Sequence, residues 1–416
     1  MTKFIIEGGK PPSGTITISG SKNAALPILC AALLSNEKII IDNVPIIGDV
    51  KTIISIIKKL GAKVLLKDHT VSISNQKNIA SFIDEKLAFQ LRASILLAGP
   101  ILIKTGKVIL PHPGGCVIGK RSINTHLDAF KQLGAKIIKK DGSYEIIYQE
   151  LKNNTITLSE ASVTATENIM MAATLIPQEI IIKNAAREPH IIDLAHFLKR
   201  MGVRITGEGT KTIRIIGKEK LKSARYQIRP DEIEASSFAI AAAVTKGNII
   251  IKNINLIDLK PLINKFNEIG ISYKKGKNSL EILETNQYKS FKIKTAPFPG
   301  FPTDLQAPLA VLATQAQGES EIYETMYENR LAYVDELIKM GANIKKISSH
   351  KITIVGPTSL KGKNLKSPDL RAGLALVVAA LCAKGKTTIE NIELIDRGYE
   401  SLEKKLQIIG ARIKRI

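Results

Sequence analysis

Cysteine, aromatic residues and acidic residues are all scarce in this chain. Its 416 residues include three cysteines, no tryptophan and 5% aromatic residues. Three cysteines cannot form the disulfide framework of a small secreted protein, so we expect a reducing compartment. No apolar run reaches the roughly 18–20 residues of a membrane-spanning helix, and the N-terminal segment lacks the apolar core of a signal peptide. The sequence therefore predicts a soluble, cytoplasmic protein without a membrane span.

The shortage of acidic residues leaves the chain strongly basic. Sixty Lys and Arg against 38 Asp and Glu give a formal net charge of +22. A basic face attracts polyanions such as nucleic acid, but these cations are scattered, with no long block and no aromatic stacking platform. We therefore expect no nucleic-acid partner and a charge that helps to attract small acidic substrates. A basic, non-catalytic binding protein stays open as an alternative.

The three cysteines lie in different surroundings. Cys30 and Cys382 occur in apolar helical runs and are expected in the core. Cys116 occurs in PHPGGCVIGKR at 111–121, which is too rich in Pro and Gly for a helix or a regular strand. Cations and free backbone N–H groups lower the pKa of a thiol, so Cys116 beside Lys120 is a candidate reactive residue.

An internal repeat is the most informative feature of the sequence. A glycine between apolar residues, placed to end a helix and open a strand, recurs at intervals of 68 to 73 residues. It occurs at Gly61, Gly134, Gly202, Gly270, Gly341 and Gly410. Each occurrence follows an Ala-rich apolar segment and a short strand, so each unit is predicted as helix, strand, loop, helix, glycine and strand pair.

A chain of this length is too long for one typical core, so the six units predict two similar α/β domains of three units each. The predicted first domain is 21–229 and carries the cysteine loop 111–121. The predicted second domain is discontinuous and combines 1–20 with 230–416, because the N-terminal strands lack a helix of their own.

The predicted N-termini of the Ala-rich helices carry polar and charged residues. These are Lys22, Asn23, Arg92, Ser162, Thr164, Glu234, Asp304, Asp369 and Arg371. A helix N-terminus presents free N–H groups and a partial positive charge, which suit phosphate and carboxylate. We therefore expect an anionic substrate. No Walker A motif, zinc-spaced Cys/His cluster or dinucleotide fingerprint occurs, so we expect neither a metal nor an organic cofactor.

Seven motifs resemble those of the enolpyruvyl transferases, in the branch that acts in bacterial peptidoglycan synthesis. They are SGSKNAALP at 19–27, PGGCVIGKR at 113–121, NAAREP at 184–189, FPTDLQA at 301–307, ENR at 328–330, DLRAG at 369–373 and IDRGYE at 395–400. The resemblance covers the whole chain and implies a two-domain inside-out α/β barrel, with three βαβ-type units per domain. It also implies transfer of the enolpyruvyl group of phosphoenolpyruvate to the 3′-hydroxyl of UDP-N-acetylglucosamine, with release of phosphate by addition and elimination.

The resemblance implies four catalytic residues, Cys116, Asp304, Lys22 and Arg397. Cys116 is implied as a proton donor, as the carrier of a covalent phosphoenolpyruvate adduct and as the target of epoxides such as fosfomycin. Asp304 is implied as the general base for the sugar hydroxyl, and a helix N-cap is its alternative role.

The same resemblance implies a set of cations around the substrate. Lys22, Arg121 and Arg397 would hold phosphoenolpyruvate, and Arg92, Arg330 and Arg371 would extend this cationic lining. Asn23 would bond the sugar. Glu188 and Glu234 would either hold the arginines or act only as cap and salt-bridge residues.

For the UDP-sugar the resemblance implies contacts from Ser122, Ile123, Asn124, Thr125, Ser162, Val163 and Met326. This chain departs from the family pattern in the nucleotide region. Residues 122–125 read Ser-Ile-Asn-Thr where Pro-Val-Asp-Leu is common. Glu160 stands in place of a frequent lysine, and Thr164 in place of the usual glycine. The sister family of 5-enolpyruvylshikimate-3-phosphate synthases stays open as an alternative, although the loop cysteine and the wording of the motifs argue against it. The sequence does not reveal the oligomeric state.

Overall fold

The computed structural model describes residues 2–74, 79–114, 118–119 and 121–416. The α-helices are α1 (Lys22–Ala31), α2 (Gly48–Lys59), α3 (Glu85–Gln90), α4 (Ala98–Thr105), α5 (Asn124–Leu133), α6 (Val163–Ala172), α7 (Pro189–Arg200), α8 (Glu232–Val244), α9 (Lys260–Ile269), α10 (Gln306–Ala313), α11 (Val334–Lys339), α12 (Leu370–Cys382) and α13 (Leu402–Ile408). Short 3₁₀ helices occur at Ala32–Leu34, Arg92–Leu97, Ala173–Leu175, Thr303–Leu305 and Ile392–Leu394.

The strands are β1 (Lys3–Glu7), β2 (Ser13–Thr17), β3 (Ile39–Asp42), β4 (Lys63–Lys67), β5 (Thr70–Ser74), β6 (Lys107–Pro111), β7 (Ala135–Lys140), β8 (Ser143–Tyr148), β9 (Thr155–Thr157), β10 (Glu179–Lys183), β11 (Arg204–Thr206), β12 (Thr212–Ile216), β13 (Ala224–Gln227), β14 (Asn248–Lys252), β15 (Tyr273–Lys275), β16 (Ser279–Ile282), β17 (Lys292–Lys294), β18 (Gly318–Tyr323), β19 (Asn343–Lys346), β20 (Lys351–Gly356), β21 (Asn364–Lys366), β22 (Lys386–Glu390) and β23 (Arg412–Arg415).

The described chain forms two compact units. The central unit contains 20–114 and 121–229, and the terminal unit contains 2–19, 118–119 and 230–416. Ile118 and Gly119, which belong to the predicted loop of the first domain, thus group with the terminal unit. There the Ile118 carbonyl accepts a hydrogen bond from the backbone N–H of Asn329 at 3.0 Å.

Each unit contains three small sheets. In the central unit the strand orders are β13-β3-β5-β4, β6-β8-β7 and β11-β12-β10-β9. In the terminal unit they are β21-β22-β1-β23, β15-β16-β14-β2 and β17-β18-β20-β19. Each four-stranded sheet joins one parallel edge strand to three antiparallel strands. In the three-stranded sheet, a single parallel bridge between Phe82 and Ile109 takes the place of the edge strand.

The N-terminal strands complete two sheets of the terminal unit. Strand β1 lies between β22 and β23, and β2 runs parallel to β14 with Ser13 opposite Asn248. The sixth repeat therefore obtains its second antiparallel strand from the beginning of the chain.

The six repeated glycines all have positive φ, between 84° and 115°, as the sequence predicts. Glycine adopts this left-handed conformation without steric cost, so each one can end its helix and redirect the chain into a strand. Gly134 is also sterically required, because a Cβ there would lie 1.8 Å from the carbonyl oxygen of Glu150.

The Ala-rich helices form the centre of each core because most of their residues are apolar. In the terminal unit α8, α10 and α12 pack against one another, and nearly all their residues are buried. In the central unit α1 and α6 are equally buried, including Cys30, whereas Cys382 of the terminal unit is only partly buried. Among the described residues, no helix combines the length and apolar character needed to cross a bilayer.

Candidate active site

Asp304 lies in the terminal unit, in the 3₁₀ turn that precedes α10. Its Oδ1 is 2.5 Å from Nη2 of Arg330, and its Oδ2 is 3.0 Å from Nε and 2.9 Å from Nη2 of Arg371. The arginine side chains are only 5% and 4% exposed, whereas the Asp304 side chain is 27% exposed. The arrangement is a partly exposed carboxylate held by two buried cations.

The alternative role of Asp304 as a helix N-cap is wrong. Asp304 does not act as the N-cap of α10: Leu305 occupies that position, and no side chain caps the helix there. Arg330 and Arg371, predicted to extend the cationic lining, are both buried with their guanidinium groups against Asp304. Buried guanidinium groups need carboxylate partners to offset their loss of hydration, and Asp304 supplies one to both.

Arg371 is further fixed by Tyr399. Its Nη1 donates to the Tyr399 hydroxyl at 2.9 Å, and its guanidinium lies 5.3 Å from the centre of the Tyr399 ring. Burial opposes the charge of Arg371, but Asp304, Tyr399 and Asp231 outweigh it and raise the pKa of the guanidinium. Arg397 lies two residues before Tyr399, in the half-buried turn before α13.

Lys22 is the first residue of α1 in the central unit, and its Nζ is 2.9 Å from Oδ2 of Asp49. Both side chains are largely buried. Asp49 lies in the first turn of α2, a position that favours a carboxylate because of the helix dipole. The sequence alone does not single out Asp49, although its place in a first helical turn was a usable signal. Asn23 follows Lys22 on α1 and is half-buried.

Arg92, predicted to extend the cationic lining, bonds to backbone carbonyls. Its guanidinium donates to the carbonyl oxygens of Pro113 at 3.4 Å, Arg121 at 2.6 Å and Ser122 at 3.3 Å. Arg92 therefore joins the two flanks of the cysteine-bearing segment. Cys116 itself lies outside the described residues. Arg121, five residues after it in the sequence, is half-buried.

The predicted nucleotide contacts divide into exposed and buried residues. Ser122 and Asn124 are exposed at the start of α5, where the Ser122 hydroxyl accepts from the Asn124 N–H at 3.0 Å. Ile123 is buried in the core, and the buried Thr125 hydroxyl donates to Glu160 at 3.1 Å. The exposed pair is therefore more accessible to a ligand than Ile123 or Thr125.

The N-terminus of α6 carries a buried histidine network that the sequence alone does not reveal. Ser162 caps the helix by accepting from the Ala165 N–H at 3.4 Å, Val163 is its first residue, and Thr164 lies inside its first turn rather than before it. His126 places Nε2 3.0 Å from the Thr164 hydroxyl and Nδ1 3.1 Å from the Asn168 amide nitrogen.

An amide nitrogen can only donate, so Nδ1 of His126 accepts and Nε2 carries the proton toward Thr164. Burial, and then the charges of Arg92 and Arg121, lower the pKa of His126 to about 3. This histidine is therefore neutral at physiological pH.

Glu234 and Glu188 are predicted either to hold arginines or to act as cap and salt-bridge residues. Glu234 is buried and accepts from Lys405 Nζ at 2.5 Å and from the Ser19 N–H at 2.8 Å, so it is a salt-bridge residue of a lysine. Glu188 occupies the N-cap position of α7 and accepts from the Arg187 N–H at 2.9 Å. Met326 is 37% exposed on the loop that leads to Arg330.

Comparison with known proteins places these residues in a family. The family model described as EPSP synthase (3-phosphoshikimate 1-carboxyvinyltransferase) matches residues 6–406. A UDP-N-acetylglucosamine 1-carboxyvinyltransferase of Caldanaerobacter subterraneus subsp. tengcongensis is 44% identical over 415 residues, covering 100% of this chain and 99% of that protein. A protein of the same name from Halothermothrix orenii is 44% identical over 416 residues and covers 100% of both chains. The chain belongs to the enolpyruvyl transferase family.

Solved structures support the predicted enolpyruvyl transferase fold. The enolpyruvyl transferase NikO of Streptomyces tendae superposes with a TM-score of 0.90 at 22% identity, covering 100% of this chain and 98% of that one. An EPSP synthase of Acinetobacter baumannii gives a TM-score of 0.77 at 18% identity, with 100% of both chains covered. The predicted fold class is confirmed. Within the described residues of this enolpyruvyl transferase, no group of three or more His, Cys, Asp or Glu side chains could hold a metal ion.

Proposed function

We propose that this protein transfers the enolpyruvyl group of phosphoenolpyruvate to the 3′-hydroxyl of UDP-N-acetylglucosamine and releases phosphate. The observation that carries the proposal is the 44% identity, over the full length of the chain, to enzymes named UDP-N-acetylglucosamine 1-carboxyvinyltransferase. The matched family is described by a different acceptor, 3-phosphoshikimate, so the acceptor is the part of the proposal that most needs a test.

Asp304 is proposed as the general base. In the addition step the 3′-oxygen of the sugar bonds to C2 of phosphoenolpyruvate, and its proton passes to a carboxylate. Asp304 suits this role because its side chain is partly exposed while Arg330 and Arg371 fix both of its oxygens. The ion pairs require the ionised carboxylate, which is the form that accepts a proton.

Cys116 is proposed as the acid that protonates C3 of phosphoenolpyruvate, giving a tetrahedral phospho-ketal. Elimination then breaks the C–O bond to phosphate and returns a proton from the new methyl group to the Cys116 thiolate, which restores the enol ether and the thiol. The proton held by Asp304 leaves with the phosphate. The same thiol would carry the covalent adduct and react with fosfomycin. Arg92 is proposed to set the path of this segment, since it holds the carbonyls on both flanks.

Lys22, Arg121 and Arg397 are proposed to hold the phosphate and carboxylate of phosphoenolpyruvate, which need several cations in the transition state. For Lys22 the proposal is supported by its position at the α1 N-terminus, fixed by Asp49. Asn23 and Met326 are proposed to contact the sugar. The nucleotide is proposed to contact residues 122–125, Ser162 and Val163. The reaction would make a cytoplasmic precursor of peptidoglycan, on which bacterial cell shape and division depend.

The test is phosphate release from phosphoenolpyruvate by wild type, Asp304→Asn and Cys116→Ser, each with UDP-N-acetylglucosamine and with shikimate 3-phosphate. We expect turnover with the UDP-sugar alone, a loss of about 10²–10⁴-fold in Asp304→Asn, and a severe loss in Cys116→Ser. Calorimetry should show that Asp304→Asn still binds UDP-N-acetylglucosamine. Turnover with shikimate 3-phosphate would instead identify the sister activity.

A further inference from the structure

Glu324 is a fully buried carboxylate directly after β18, and the sequence alone does not single it out. Oε1 accepts from the Thr295 hydroxyl at 3.1 Å and from the N–H groups of Met326 at 2.8 Å and Tyr327 at 3.3 Å. Oε2 accepts from the Thr303 hydroxyl at 2.6 Å. Two hydroxyls and two backbone groups thus compensate one buried charge, as burial of a carboxylate requires.

These contacts join the two backbone segments that carry the Asp304–Arg330 ion pair. Thr303 directly precedes Asp304 in the 3₁₀ turn. Met326 and Tyr327 begin the loop that leads to Arg330, whose Nη2 lies 2.5 Å from Asp304 Oδ1. One carboxylate therefore fixes the turn that bears the acceptor of this ion pair and the loop that bears its donor.

A second link joins the same two segments on the other side of Asp304. The Gln306 side chain donates to the Arg330 carbonyl at 3.2 Å and accepts from the Tyr333 hydroxyl at 2.7 Å. This link does not involve Glu324. Loss of the Glu324–Thr303 contact is therefore expected to displace the Asp304 turn without unfolding the unit.

We propose that Glu324 is a positioning residue, which sets the orientation of Asp304 against Arg330 through the Thr303 hydroxyl. The inference rests on the proposed role of Asp304 as the base. A general base must lie within hydrogen-bonding reach of the proton it removes, and small displacements of such groups cost large factors in rate. The role predicts an effect on kcat with little effect on substrate binding.

The test uses Thr303→Val, which removes the hydroxyl donor at nearly constant volume, and Thr303→Ser, which restores it. We expect kcat to fall by about 10- to 100-fold in Thr303→Val, with KM for both substrates within about twofold of wild type, and to recover in Thr303→Ser. In the Glu324→Gln background, Thr303→Val should cost less than it does alone, because the two changes act on one contact. Glu145→Gln alters a largely buried carboxylate of the central unit and should leave kcat unchanged.

Hydrogen–deuterium exchange separates this inference from the proposed function. Thr303→Val should exchange faster at 303–305 even if wild type has no carboxyvinyl transfer activity. An active wild type whose Thr303→Val variant keeps full kcat and wild-type exchange would overturn the positioning role. Equal losses in Thr303→Val and Thr303→Ser, or costs that simply add in the double variant, would also overturn it.

Discussion

Arg371 places two nitrogens against a single oxygen of Asp304, with Nε 3.0 Å and Nη2 2.9 Å from Oδ2. The other carboxylate oxygen is left to Arg330. Because each oxygen has its own cation, the carboxylate cannot rotate without breaking an ion pair. The proposed base is therefore held in one orientation before substrate arrives, which reduces the reorganisation needed during proton transfer.

Removal of one partner from this buried group should be costly. We predict that Arg371→Met lowers the free energy of unfolding by about 3 kcal/mol, since Asp304 and Tyr399 lose a charged partner in a largely buried site. The double variant Arg371→Met/Asp304→Asn should recover part of this stability without recovering turnover. Urea unfolding measures the stability of the single and the double variant.

The matched control is Arg225→Met, which removes the exposed ion pair with Asp42 and should hardly move the unfolding midpoint. If Arg371→Met were as mild as this control, the buried pair would not stabilise the unit.

His126 should make the stability depend on pH. Its pKa is lowered to about 3 in the folded protein, first by burial, whereas an unfolded histidine titrates near 6.5. Between these values only the unfolded chain binds the proton, so the free energy of unfolding falls as pH falls below about 6.5. From pH 6.5 to 5, wild type should lose about 2 kcal/mol relative to His126→Asn. A slope in His126→Asn parallel to that of wild type would refute the prediction.

Glu167 should have the opposite pH dependence. Burial, and then the charge of Glu188, raise its pKa well above the usual range, and among the described residues its Oε1 has no hydrogen-bond partner. The unfolded chain releases this proton above about pH 4.3 while the folded chain retains it, so stability falls as pH rises. We predict that Glu167→Gln gains stability over wild type between pH 5 and pH 8.

Glu145→Gln is the comparison for this effect. Hydrogen bonds from Lys107 and Lys140 lower the pKa of Glu145 to about 2, so this carboxylate stabilises the fold at neutral pH and stops doing so in strong acid. Its substitution should therefore cost stability at pH 7 and less at pH 2. If the difference in the free energy of unfolding between Glu167→Gln and wild type were the same at every pH, the pKa of Glu167 would not be raised by folding.

Glu160 is predicted to weaken nucleotide binding. It accepts from the Thr125 hydroxyl near the proposed nucleotide residues, at a position where the family resemblance implies a lysine. Glu160→Lys should lower KM for UDP-N-acetylglucosamine by about threefold to tenfold, since one favourable charge contact is worth roughly 1 kcal/mol, and should leave KM for phosphoenolpyruvate unchanged. The KM of Glu160→Gln for UDP-N-acetylglucosamine should lie between those of wild type and Glu160→Lys. Equal KM values across the series at low salt would place the diphosphate away from this residue.

The repeated glycines were predictable because their requirement is local. A helix end followed at once by a strand needs positive φ, and each of the six repeats supplies glycine there. The apolar helices were equally predictable, since a segment without a polar face belongs in a core. Asp304 was also identified, though through a resemblance to a family rather than through its surroundings.

The partners of these residues were not predictable because they are distant in sequence. Arg371 lies 67 residues from Asp304, and Arg92 lies 29 residues from the Arg121 carbonyl it bonds. Residue type suggested an N-cap for Asp304, but the two arginines form stronger, charged contacts with the same oxygens. Glu324 carries no local motif, and only the fold gathers its four donors around it.

The most direct test of the central proposal is to identify the product formed from phosphoenolpyruvate and UDP-N-acetylglucosamine by mass spectrometry and NMR, together with the phosphate released. We predict one phosphate for each UDP-N-acetylglucosamine that gains an enolpyruvyl ether at its 3′-oxygen. No product with this acceptor, from a folded protein that forms the same ether on shikimate 3-phosphate, would contradict the proposal.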